Sequence, residues 1–238
     1  MLENKIIHIT SGFDVLKNIL SSKSLNLSYS QESFCDSSKT ISRAVHPMVC
    51  FSEYNIDEID TKKITYGRYG LGFSKDWARK KKIGPVLYVS QNSLAAKGMS
   101  KLLIARRNLP KSKLPKNLRL AIIELKCFMK NEQGYNSHFG VDNFDFKSEN
   151  EWRYVPEKRI ISNFHISQKQ NVYEMRKDEY NRRLLEYPLK FKLSDIEVIF
   201  VTSEQEVIEI ARTFRIDKGR IKISGWEYNK LKKITHNK

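Results

Sequence analysis

Apolar and β-branched residues cluster at Lys5–Thr10 (KIIHIT) and stop at Ser11-Gly12, a pattern that predicts a short first strand ending in a turn. Apolar residues at 13, 15, 16, 19 and 20 then mark one face of a helix over 13–20. The stretch 21–40 is serine-rich and polar and reads as a loop, long enough to be functional. Residues 48–52 (MVCFS) predict a strand and 56–64 a short helix. Residues 69–74 predict a strand, followed by a short helix over 75–82 that Ser74 caps. After a strand at 84–89, helices are expected over 93–108 and 118–129, with a break at 112–117 flanked by Pro110 and Pro115.

Periodicity is lost over 132–148, which is aromatic and rich in Asn and Asp and reads as a loop. A strand is expected at 151–155, a partner strand at 160–166 and a charged helix at 173–185. The end is a strand–helix–strand unit (197–201, 203–214, 220–223), where Ser203 and Glu206 have the spacing of a capping box. The elements together predict an α+β fold, one domain over 1–238, with the unit at 189–225 packed on the same core.

Composition sets the partners. Forty-three Lys and Arg against 27 Asp and Glu give a net charge of +16, enough to draw in a phosphate polyanion. A simply lysine-rich composition explains the same number. Three widely spaced cysteines without C-x-x-C argue against a disulfide framework and a zinc site, and no two of the five histidines lie four apart. No apolar run approaches the roughly 20 residues of a membrane helix. With no signal peptide visible, a cytoplasmic location away from membranes is expected.

Three constellations carry possible chemistry. His8 and Thr10 share one face of the first strand and could meet a ribose diol, or be satisfied by local backbone. Residues 66–73 (YGRYGLGF) combine three glycines with three aromatics, which suits close approach of a ligand or a tight turn. Glu149 and Glu151 straddle Asn150, so both carboxylates would share one face of an extended segment, and one pKa should rise. Such a pair could serve as a base or stabilise an oxocarbenium ion. Arg153, on the same face, could instead tie Glu151 into a salt-bridged strand edge. A magnesium site built from Asp142, Asp145, Glu149 and Glu151 has no recognised ligand spacing.

Two resemblances follow from these residues. The run 48–53 (MVCFSE), then 66–73 with Lys75-Asp76-Trp77-Ala78, then Gly84-Pro85-Val86-Leu87-Tyr88 and Glu151-Trp152-Arg153-Tyr154-Val155-Pro156, resembles the AbiGi-type family of abortive phage resistance proteins, whose members carry the label antitoxin. That resemblance covers roughly residues 5–165 and implies phage defence with a cognate toxin or antitoxin partner. His8-Ile9-Thr10 and the helix behind it are similar to the start of DarT-like ADP-ribosyltransferases, which modify DNA. This second resemblance implies an ADP-ribosyltransferase-like split mixed or antiparallel sheet with peripheral helices, and NAD as cofactor. It would place His8 and Thr10 on the ribose, Tyr66 or Tyr69 against the nicotinamide, and Arg43 and Ser52 in the cofactor site. Glu151 would be the catalytic carboxylate with Glu149 as its helper. The acceptor would be nucleic acid or protein. No metal is expected.

Overall fold

A computed structural model describes residues 4–136 and 140–228. His138 and His236, among the histidines counted above, lie outside the described residues, as does part of the stretch 132–148. The fold is α+β, built on a mixed, mostly antiparallel sheet. The central path of that sheet runs Ile221–Ile223, Ile196–Val201, Tyr69–Phe73, Lys5–Thr10, Lys39–Tyr54, Glu151–Tyr154, Gly84–Pro85. Its one parallel contact joins Ile196–Val201 to Ile221–Ile223 across the helix Glu204–Phe214, the expected strand–helix–strand unit. Ser203 accepts from the Glu206 N–H (3.3 Å), but the Glu206 carboxylate reaches back one residue further, to the Thr202 N–H (2.7 Å).

The registers divide the sheet into two faces, because paired residues point the same way and neighbours alternate. Ile6, His8, Phe51, Leu71, Phe73, Trp152, Ile199 and Val201 lie on one face. Most of them belong to the main core, into which the helices Phe13–Ser22 and Glu204–Phe214 press Leu16, Leu20, Val207 and Ile210. Ile7, Ser52, Tyr54, Glu151, Val198 and Phe200 lie on the other, where Ile59, Ile64 and Trp226 complete a smaller core. Gly70 and Gly72 belong to this second face for a packing reason. A Cβ at Gly72 would come within 2.5 Å of Val198 Cγ1, and one at Gly70 within 3.0 Å of Ile7 Cγ2.

Several expected elements change. The polar stretch 21–40 is mostly strand: Ser28–Asp36 pairs with the 16-residue strand Lys39–Tyr54 in a long hairpin. Within 56–64 a 3-10 turn, Ile59–Thr61, and a two-residue strand, Lys63–Ile64, replace the expected helix. The strand expected at 84–89 divides, since Gly84–Pro85 joins the main sheet while Leu87–Val89 pairs with Met129–Asn131. The stretch 132–148 contains a two-stranded ribbon, Gln133–Asn136 with Val141–Asp145. Residues 160–166 form turns instead of a strand, with Ser162 and Asn163 both at positive φ. The charged helix breaks at Arg176 into Gln170–Met175 and Lys177–Leu184.

Candidate functional site

On the second face of the sheet, charged side chains converge where an apolar core would be usual. Arg153 is fully buried, and Glu151, Glu149 and Lys130 expose 6%, 8% and 8% of their surface. Arg153 donates to both oxygens of Glu151 (2.7 and 2.9 Å), to Glu32 (2.5 Å) and to the Cys127 carbonyl (2.8 Å). Lys130 donates to Glu151 (3.1 Å) and Glu149 (3.2 Å) and lies over the Phe146 ring. Removing a charge from water costs several kcal/mol per ion, so such groups persist only when paired and fully hydrogen-bonded. Each of these is.

Local backbone sets this convergence. Glu151 and Arg153 share a strand face by alternation. Glu149 ends a 3-10 turn, and left-handed Asn150 (φ 42°) stands between it and the strand. Asn tolerates that conformation better than most residues do. Lys130 arrives on the short strand after the helix Lys116–Phe128, and Glu32 on the hairpin.

The two glutamates titrate in opposite directions. Burial pushes Glu149 up, and Lys130 only partly offsets this. Burial would also raise Glu151, but Arg153 and then Lys130 outweigh it and hold that carboxyl well below the usual range. Burial opposes the charge on Lys130, yet Glu32, Glu151 and Glu149 together raise its pKa. Burial, with Glu151 beside it, keeps the Cys50 thiol protonated, which removes it as a nucleophile.

The residues proposed from sequence separate into distinct places. Tyr66, Ser52 and Glu149 come together: the Tyr66 hydroxyl donates to Glu149 (2.5 Å), and all three line a pocket of about 200 Å³ with Tyr54, Lys63 and Asp145. His8 lies on the opposite face from Glu151, its ring against Phe51 and its Nδ1–H donating to the Cys50 carbonyl (2.9 Å). Burial lowers the His8 pKa, and the ring lines a separate cavity of about 560 Å³ with Asn18, Ser24, Asn26 and Ser28. The two cavities share no lining residue. Thr10 is buried on the His8 face beside Tyr69, whose hydroxyl bonds Thr202 (3.1 Å) and Glu206 (3.0 Å) at the start of a helix. Arg43 is exposed in the hairpin, nine positions from Ser52 and so about 30 Å along an extended strand. His8, Thr10, Tyr69 and Arg43 therefore do not converge with Glu149 and Glu151 on one cleft. The reason is strand alternation for the first three and distance for Arg43.

The glycines of 66–73 also serve the fold. Gly67 carries φ +156° with the Thr10 carbonyl where a Cβ would sit, and Trp226 donates to its oxygen (2.9 Å). The groups that sequence reasoning did not find are Lys130 and Glu32. Neither sits in a motif, and both reach the cluster through pairings with distant segments. Among the described residues, no group of three or more His, Cys, Asp or Glu side chains could hold a metal ion.

Residues 21–202 match the family model described as "Putative abortive phage resistance protein AbiGi, antitoxin", and the chain belongs to that family. Membership assigns it to abortive-infection defence against phage. The match extends from the hairpin through the ionic cluster to the strand Ile196–Val201, so it includes every member of that cluster. No curated protein and no solved structure matches the chain. Among the described residues, no helix is long and apolar enough to cross a membrane.

Proposed function

We propose that this chain is the antitoxin side of an abortive-infection pair and acts by holding a partner protein, without catalysis of its own. The observation that carries this reading is the state of Glu151. It is bonded twice by Arg153 and once by Lys130, buried, and turned away from His8. A carboxylate that stabilises a ribosyl cation must face its cofactor and be free to do so. Here its charge is already used inside the protein. The family's description as an antitoxin points the same way.

Co-expression tests this. The toxin of the pair should arrest growth alone, and this chain should restore growth at unchanged toxin levels. Growth arrest by this chain expressed alone would overturn the reading.

A second reading, an NAD-dependent ADP-ribosyltransferase-like enzyme, draws on Tyr66, Ser52 and Glu149 around one pocket, with a carboxyl whose pKa is raised as at many active sites. In that case Glu149, not Glu151, is the reactive carboxylate. Calorimetric titration of NAD into wild type, His8→Ala and Glu149→Gln separates the two. Saturable binding lost in Glu149→Gln favours the transferase, and no heat with any of the three favours the antitoxin.

A further inference from the structure

Half of the net charge lies in one structural unit. Residues 94–128 hold nine Lys and Arg against the single acid Glu124, a net +8 of the chain's +16. They form the helices Leu94–Asn108 and Lys116–Phe128 and the turn between them. Of the nine, only Lys126 is buried, and Lys97, Lys101, Arg107, Lys111, Lys113 and Lys116 are exposed. Arg106 and Arg119 are crowded together instead of being paired with acids. Arg119 donates to the Arg106 carbonyl (2.6 Å) and the Leu109 carbonyl (3.0 Å), while Arg106 donates to the Arg119 carbonyl (3.2 Å). Among the described residues none of the unit's exposed cations is in a salt bridge, while Glu32 acts on the buried Lys126.

The same unit also turns apolar side chains to solvent among its cations. The first helix buries Ala96, Met99 and Leu103 against Phe34 and Ile122. At 100° per residue, Leu94, Gly98, Leu102 and Ala105 form a second stripe away from the buried one. Leu94 is 86% exposed, Leu102 is 43% exposed, and nothing lies within 4 Å of where a Gly98 Cβ would be. Lys97 and Lys101 border this stripe. On the second helix Leu118 and Leu125, seven apart, are likewise exposed.

We infer that this stripe docks an amphipathic helix of a partner protein, apolar along its centre and acidic along its edge. This deepens the antitoxin reading above and rests on it. Charge selects the occupant. A second copy of this chain would bring one +8 unit against another. A nucleic acid backbone would answer the lysines and leave the leucines in water, whereas an acidic amphipathic helix answers both, in the helix-on-groove manner.

The probe is a labelled synthetic 20-residue peptide with a leucine stripe bordered by glutamates. Its controls are the same peptide bordered by lysines, a 20-base-pair DNA duplex, and vesicles of phosphatidylcholine with phosphatidylglycerol. The full chain is compared with Leu94→Gln/Leu102→Gln and with Lys97→Glu/Lys101→Glu, all surface changes whose folding is checked by thermal melting. The expected result is binding of the glutamate-bordered peptide only, weakened about tenfold by either double variant and further by salt. Equal binding to all three proteins, or none, overturns the inference. So does preferential binding of DNA or vesicles, which would make this a nucleic-acid or lipid face. The peptide assay uses no toxin, so it can fail while the chain still restores growth. Failed rescue alongside peptide binding would strike the antitoxin reading alone.

Discussion

Replacing Glu151 with Gln tests whether the buried charge cluster is structural. The side chain keeps its shape and loses its charge, and with it the ionic part of three hydrogen bonds, at 2.7 and 2.9 Å to Arg153 and 3.1 Å to Lys130. Removing one member of a buried ion pair costs about 3–5 kcal/mol, because the remaining charge stays buried. Arg153 keeps Glu32 and the Cys127 carbonyl, so the lower end, about 3 kcal/mol, applies. In a chain of this size that lowers Tm by about 6–12 °C. The assay is urea unfolding at pH 7 followed by tryptophan emission, with Trp152 on the same strand as Glu151. Acid adds a second check. The folded pKa of Glu151 is depressed, so its contribution is complete above the unfolded value of about 4.3 and fades as pH falls below it. Wild type and Glu151→Gln should therefore converge in acid. If Glu151→Gln unfolds at the wild-type urea midpoint at pH 7, the cluster is not holding the fold and Glu151 is free for chemistry.

The other predictions concern neighbouring features. Glu149→Gln should cost less at pH 7 than Glu151→Gln, about 1 kcal/mol, since burial already opposes the Glu149 charge and Lys130 keeps Glu151 and Glu32. The folded pKa is raised, so wild type should gain on this variant as pH falls from 7 towards the unfolded value, which parallel urea titrations at pH 7 and 5 would show. Gly72→Ala should cost about 1–3 kcal/mol by forcing a Cβ onto Val198, measured as a shift in urea midpoint at constant slope. Replacing Ser37-Ser38 with Asn-Gly should raise stability by about 0.5–1 kcal/mol, because both positions have positive φ in a two-residue turn, and a calorimetric scan reads the gain.

That turn also explains why the hairpin was hard to read. Two-residue hairpin turns with both φ values positive usually declare themselves as Asn-Gly or Asp-Gly, and two serines carry no such signal. The strand before it buries only Tyr29 and Phe34, so its alternation is lost among Ser, Gln and Glu. Its stability comes from Lys39–Tyr54, which no local pattern reveals. By contrast, Lys5–Thr10 is legible from its β-branched isoleucines stopped by Ser11-Gly12, and Glu204–Phe214 from one apolar face. Within the site, the Glu151–Arg153 contact follows from period two and could be read directly, whereas Glu149 does not extend that strand face: it ends a 3-10 turn at left-handed Asn150 and meets Glu151 across Lys130. Which face His8 takes relative to Glu151 depends on the pairing of three strands, and spacing within one strand cannot give it.

The five clustered charges, four buried and Glu32 half-buried, also constrain how this sequence can drift. Glu32, Lys130, Glu149, Glu151 and Arg153 come from four separate segments, yet each answers another's charge. A lone replacement of Glu151 or Arg153 strands its neighbour in a medium that does not solvate it, whereas joint replacement by well-packed apolar groups can be tolerated. Register is bound to the same set, because a slip of one residue along Lys39–Tyr54 would turn Arg153 and Glu151 away from their partners. Related sequences should therefore keep the whole set or exchange several of its members together.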